Sequence, residues 1–228
     1  MKTSLFARLL CLGLLCSVPL LQADTLTYQD TFNHKAEEAG SPLDSRSVGN
    51  SKAIWEATAN AVLVKGGGIR ASDDNPFVGR VELPGTFKDV TVEADIYPAG
   101  KGWMSVGIGS GALGNPNFGG LFLMVTTGGN FSLMFNPDPD DTRSSKVVAL
   151  KAGRIRGWKP DTMNTIKLVY NQEADTVSAF ANGDEKIVKD ISLKEKSYVL
   201  RAEYAGVSGI FQSSDDKSVA KVSVIVQK

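Results

Sequence analysis

Between residues 163 and 193 polar and apolar positions alternate. Thr165, Lys167 and Val169 interleave with Ile166, Leu168 and Tyr170, the period of a strand with one face buried. Residues 171–175 are polar and turn-like, and alternation resumes over 176–180. Asn182-Gly183 then supplies the pair that most readily takes φ > 0, so the chain reverses into 186–191. This predicts a three-stranded antiparallel meander. The same reading gives a first strand at 26–32 and short strands at 54–57, 61–65, 69–72 and 78–83, separated by Gly66-Gly67-Gly68 and Asp73-Asp74-Asn75-Pro76. Residues 88–98 form a long strand, with Val90, Val92, Ala94 and Ile96 on one face and Thr91, Glu93, Asp95 and Tyr97 on the other. Strands at 103–109, 120–127 and 130–136 make the apolar middle, with Gly128-Gly129 as a hairpin turn. The run LFLMVTT is almost continuously hydrophobic, as a strand covered on both faces would be. Further strands are expected at 146–150, 199–204, 207–211 and 219–226. Polar loops are expected at 34–50, 137–145 and 153–161. The expectation is one all-β domain, a sandwich or a barrel.

The N-terminus departs from this pattern. Lys2 and Arg8 precede an apolar run from 9 to 21 that ends in Gln22-Ala23-Asp24. That is a basic region, a short hydrophobic region and a small residue at a cleavage point, and the run falls short of the roughly 20 residues a membrane span needs. Residues 1–23 are therefore read as a secretory signal and 24–228 as the domain, secreted or periplasmic. Both cysteines, Cys11 and Cys16, lie in the signal, so the mature chain has no disulfide and depends on its core. Removing the signal leaves 23 basic and 25 acidic residues. With no basic block, the composition argues against nucleic acid as partner.

Three segments carry a family resemblance. A strand ending at Tyr170, a polar turn and a strand closing on Ala181-Asn182-Gly183 form one. Tyr28-Gln29-Asp30-Thr31-Phe32 followed by Trp55 is the second, and Gly206-Val207-Ser208-Gly209-Ile210 followed by 220–226 the third. Together they resemble the concanavalin A-like lectin/glucanase superfamily, including its laminin-G-like jelly rolls. The resemblance implies two antiparallel sheets in a jelly-roll sandwich, Trp55 in the core, and a scaffold often used for carbohydrate recognition, with hydrolase and lyase relatives.

Candidate chemistry is sparse. Glu93 and Asp95, two apart on a strand, share a face about 7 Å apart, whereas retaining glycosidases hold two carboxyls about 5–5.5 Å apart across the sugar. The laminarinase-type relatives carry Glu-x-Asp-x-x-Glu, and here Pro98 stands in the third acidic position, so the pair reads as a solvated outer face. His34 is the one histidine. No Gly-x-Ser-x-Gly elbow accompanies it and no ordinary zinc set forms around it. Asp138, Asp140 and Asp141, with Asn136 just before them, offer the oxygen ligands calcium takes; the competing reading is a simple turn. The loop GSGALGNPNFGG at 109–120 follows Trp103 and holds Asn115, Asn117 and Phe118. Amides bond sugar hydroxyls and aromatic faces stack on pyranose rings; the competing reading is a crossover loop with Trp103 in the core.

One aromatic is not enough for a binder. Covering about 100 Å² at about 25 cal/mol/Å² yields about 2.5 kcal/mol, while a millimolar dissociation constant takes about 4.1 kcal/mol. Several contacts or repeated sugar units are needed. Arg154, Arg156 and Lys159 surround Trp158 and either contact an acidic polysaccharide or cover the next strand. The leading expectation is a secreted, non-catalytic binding domain for a carbohydrate or glycoconjugate surface, with Trp103, Asn115, Asn117, Phe118 and Trp158 as ligand contacts. The alternatives are a glycoside hydrolase or polysaccharide lyase drawing on Glu93, Glu203, Tyr204 or Tyr97, and an exported structural or adhesion protein.

Overall fold

In the computed structural model, which describes residues 24–141, 145–183, 185–212 and 218–228, every strand pairs antiparallel. The expected signal at 1–23 lies outside the described residues. In chain order the strands are β1 (Thr25–Asp30), β2 (Glu56–Ala57), β3 (Ala61–Leu63), β4 (Ile69–Ala71), β5 (Phe77–Glu82), β6 (Asp89–Ile96), β7 (Lys101–Gly109) and β8 (Gly120–Thr126). There follow β9 (Asn130–Phe135), β10 (Val148–Arg154), β11 (Asn164–Asn171), β12 (Thr176–Ala181), β13 (Glu185–Ser192), β14 (Tyr204–Gln212) and β15 (Val219–Gln227). One sheet runs β13-β12-β11-β6-β15-β4-β3, with β1 also on β15; the other runs β10-β9-β8-β7-β14-β5-β2. No helix among the described residues is long and apolar enough to cross a membrane.

Alternation in sequence becomes alternation in burial. In β6, Val90, Val92, Ala94 and Ile96 are buried while Asp89, Thr91, Glu93 and Asp95 keep partial exposure. Fully burying a Val or Ile side chain contributes about 1.5–3 kcal/mol, so β6, between β11 and β15, is a main support of its sheet. The inner faces of the two sheets meet in one apolar core that includes Trp55, Phe77, Met104, Leu123 and Ile166. Asp30 anchors the opening strand to it. Its carboxylate accepts the Phe32 N–H at 2.7 Å and the Trp55 Nε1–H at 2.9 Å.

The continuous hydrophobicity of β8 has a specific cause. Leu121, Leu123 and Val125 face the core, while Phe122 faces outward and lies under the loop at 110–119, in a second apolar cluster with Val78 and Phe118. The strand expected at 199–204 is replaced by irregular chain up to Tyr204, where β14 begins. That stretch crosses from one sheet to the other; Val199 is 79% exposed, Leu200 and Ala202 pack part-buried against the core, and regular backbone pairing is reached only at Glu203, whose N–H donates to the Gly109 carbonyl.

Candidate functional site

The loop at 110–119 folds back over the outer face of the seven-stranded sheet. Phe118 has left-handed backbone (φ 60°) and turns its ring onto Gly107. Only glycine leaves room there, because a Cβ on Gly107 would run into the ring. Beside it the Ser105 and Ser208 hydroxyls meet at 2.7 Å, and Ser208 also donates to the Pro116 carbonyl at 2.5 Å.

Asn115, Asn117 and Phe118 are therefore inside, 0%, 3% and 2% exposed. Their chemistry is directed at the protein. Asn117 Oδ1 accepts the Asn136 amide at 3.0 Å and the Gly119 N–H at 3.1 Å. Asn115 Nδ2 donates to the Pro139 carbonyl at 3.3 Å, and Asn136 Nδ2 to the Asp141 carbonyl at 3.2 Å. Two loops expected to act separately are thus joined by three buried amides. Asn136 is the residue whose importance the sequence did not signal; its place two residues before Asp138 was the only hint.

The acidic loop bonds to itself at the surface. Asp138 accepts Lys146 Nζ at 2.6 Å and the Asp140 N–H at 3.0 Å, and Asp141 accepts the Lys146 N–H at 2.7 Å. The Lys146 ammonium holds the Asp138 carboxyl below the usual carboxylate range. Asp138, Asp140 and Asp141 do not converge as calcium ligands, and among the described residues no group of three or more His, Cys, Asp or Glu side chains is placed to hold a metal ion. The Asp138 and Asp141 carboxylates brace the turn through these bonds, while Asp140 is exposed. Beside them, Ser110, Asp140, Val199, Leu200 and Arg201 line an open cavity of about 420 Å³.

Trp158 is also committed internally. Its Nε1–H donates to the Thr127 carbonyl at 2.9 Å and its ring lies against Gly129, so it fastens the turn after β10 to the β8–β9 hairpin. Trp103 differs. It is half-buried on the outer face, paired with Thr126 on β8 and Ile210 on β14. It lies four positions from Gly107, about 13 Å along the strand, so it is not part of the loop cluster.

Register extends the Trp103 position into a row. Arg154 on β10 pairs with Asn130 on β9; Thr126 closes the hairpin opposite Asn130, its hydroxyl donating to the Asn130 carbonyl at 3.4 Å. Arg154, Asn130, Thr126, Trp103 and Ile210 thus cross five strands on one face, about 19 Å at the usual strand spacing. Met124 and Ser132 stand in the next row, half-buried. This part of the face lies beyond the loop.

The carboxylates weighed for catalysis are on the opposite side of the sandwich. Glu93 lies between Lys167 at 4.0 Å and Lys221 at 3.8 Å, and Asp95 accepts the Thr165 hydroxyl at 2.7 Å. His34 donates through Nδ1 to the Lys35 carbonyl at 2.9 Å, and its Nε2 is occluded without a partner. Glu203 is exposed at the crossover, and Tyr204 lies under the Arg80 guanidinium, 3.6 Å from the ring centre.

The architecture has known counterparts. Lectin II from Ulex europaeus superposes with a TM-score of 0.50 at 8% identity, over 89% of this chain and 97% of that one. Arcelin-5, a lectin-like defence protein from Phaseolus vulgaris, gives 0.49 at 9% identity over 90% and 98%. The exoplasmic/lumenal domain of VIP36 in its Ca2+/Man-bound form gives 0.47 at 15% identity over 86% and 98%. At such identities the likeness establishes the fold alone, the two-sheet sandwich of the concanavalin A-like lectin/glucanase type. No protein-family model and no curated protein matches the chain by sequence.

Proposed function

We propose that this is an exported, non-catalytic glycan-binding domain that takes its ligand on the uncovered half of the seven-stranded sheet. The observation that carries the reading is the cross-strand row of Trp103, Ile210, Thr126, Asn130 and Arg154. Trp103 and Ile210 offer an apolar platform for the C–H face of a sugar ring. Thr126, Asn130 and Arg154 add hydroxyl, amide and guanidinium groups along the same line. An open row of this length accommodates several sugar units, which supplies the additional contacts a single aromatic lacks. The loop at 110–119 walls the row on one side. The ion-paired setting of Glu93 and the bonded setting of Asp95, both on the other sheet, favour binding over hydrolysis.

The test is a glycan array run beside a reducing-sugar release assay on the purified protein. Retention of a glycan without sugar release, weakened at least tenfold by Trp103→Ala, is the expected result. Sugar release would assign the protein to the hydrolases. Equal binding by Trp103→Ala would move the site elsewhere, with the Asp140–Arg201 cavity the next to examine. No retained glycan at all would leave the adhesion or structural reading.

A further inference from the structure

The edge of the proposed binding row carries a feature that the row itself does not require. Arg154, Arg156 and Lys159 put three cations into six residues, and all three are exposed. The chain as a whole is balanced between acid and base, so this is a local concentration. Among the described residues, none of the three makes an ion pair with a carboxylate. Surface lysines and arginines are ordinarily mobile and solvated. Here the supporting backbone is fixed. Ile155, 2% exposed, anchors the turn through its N–H to the Gly129 carbonyl at 2.9 Å, Trp158 bonds Thr127 three residues later, and Gly157 takes the left-handed conformation (φ 68°) that reverses the chain between them.

We infer that this rim reads the charge of the glycan, and that the ligand is an acidic polysaccharide bearing one carboxylate on each of several sugar residues. The inference rests on the binding row proposed above. A guanidinium fork matches the plane of a carboxylate and engages it through two N–H donors. Arg154 belongs to both the row and the rim, so a polymer stacked on Trp103 and running across the sheet reaches it with its next acidic groups near Arg156 and Lys159. A carboxylated chain keeps its ring hydroxyls for Thr126, Asn130 and Ser132 and leaves the C–H face bare for Trp103. Sulfate esters replace those hydroxyls, which favours the carboxylated polymer. An exposed rim of this kind acts over roughly a Debye length, about 10 Å at 0.1 M salt and 3 Å at 1 M, so its contribution is salt-sensitive.

The experiment compares oligogalacturonate, a neutral β-glucan oligosaccharide of matched length and dextran sulfate by calorimetry, in 50 mM and 500 mM NaCl. Oligogalacturonate should bind at least tenfold more tightly than the neutral oligosaccharide at low salt, and lose most of that advantage at high salt. Arg154→Glu and Arg156→Glu should each remove at least tenfold for oligogalacturonate, with unchanged melting temperatures because both side chains are exposed. Lys194→Glu, an equally exposed charge change away from the rim, should have no effect. Equal affinity for acidic and neutral oligosaccharides, insensitive to salt and to the rim substitutions, would overturn this inference while leaving the binding row standing. Tighter binding of dextran sulfate than of oligogalacturonate would overturn it too. Failure of every saccharide to bind would remove the row as well.

Discussion

Asn117→Ala tests whether the buried amides hold the loop on the sheet. The substitution deletes one acceptor and orphans two donors, the Gly119 N–H at 3.1 Å and one Nδ2–H of Asn136 at 3.0 Å. All three residues are buried. An unsatisfied buried donor costs about 1–3 kcal/mol; allowing for some water entering the gap, the pair gives about 2–4 kcal/mol. For a domain of this size each kcal/mol moves the melting temperature by about 2–4 °C, so a fall of about 4–16 °C is expected in a calorimetric or circular-dichroism melt. Asn136→Ala removes the same bond from the other side, together with its bond to the Asp141 carbonyl. The double variant should therefore be less destabilised than the sum of the singles by about 1 kcal/mol, within the range seen for contacting residues. Additivity to within about 0.3 kcal/mol, or an Asn117→Ala melt within 1 °C of wild type, would refute the amide bridge as a support of the loop.

Two further outcomes follow from the same geometry. Gly107→Ala should lower stability by about 1–3 kcal/mol, the usual cost of overpacking, because the new Cβ forces Phe118 off the sheet; a variant as stable as wild type in urea would show that the ring is free to move. Stability should also fall in acid. Arg46 lowers Glu38, the Ala57 N–H lowers Asp44, the Asn60 amide lowers Asp73, Lys146 lowers Asp138, and the Ser178 hydroxyl lowers Asp190. Groups with depressed folded-state values stabilise the fold above their ordinary values, near pH 4, and lose that contribution as pH falls through the folded ones. Melting temperatures should therefore be level from pH 7 to about 5 and drop below about 4; a level profile to pH 3 would contradict it.

The strands were legible because their signal is local. Val90, Val92, Ala94 and Ile96 announce a buried face by spacing alone, and burial follows them residue by residue. Residues 199–204 misled because Val199 and Leu200 supply apolar character without a partner strand. The candidate site was less legible, and for a different reason. Asn115, Asn117 and Trp158 were the right kinds of residue for a ligand, but hydrogen-bond capacity does not specify its recipient. In each case the recipient was another part of the chain, set by contacts 19 to 31 residues away. Loops at that separation meet only once the sheet has placed their ends.

What divides the outer face into a covered half and an open half is written in two strands that are far apart in sequence. Read along β7 and β14 in register, the outward pairs are Gly107 with Gly206, Ser105 with Ser208, and Trp103 with Ile210. The first pair has no side chain, and Phe118 fills the space over Gly107. The second bonds across the strands and gives the loop backbone its anchor at Pro116. The third lies beyond the loop's anchor, and both of its side chains stay partly exposed. Neither strand alone conveys this, since glycine, serine and a large apolar residue in alternate positions of one strand are unremarkable. Paired across about a hundred residues, the same positions grade from socket to seam to platform. Under the binding proposed for Trp103, a change at Gly107 that lifts Phe118 and the loop should therefore also weaken glycan retention on the array.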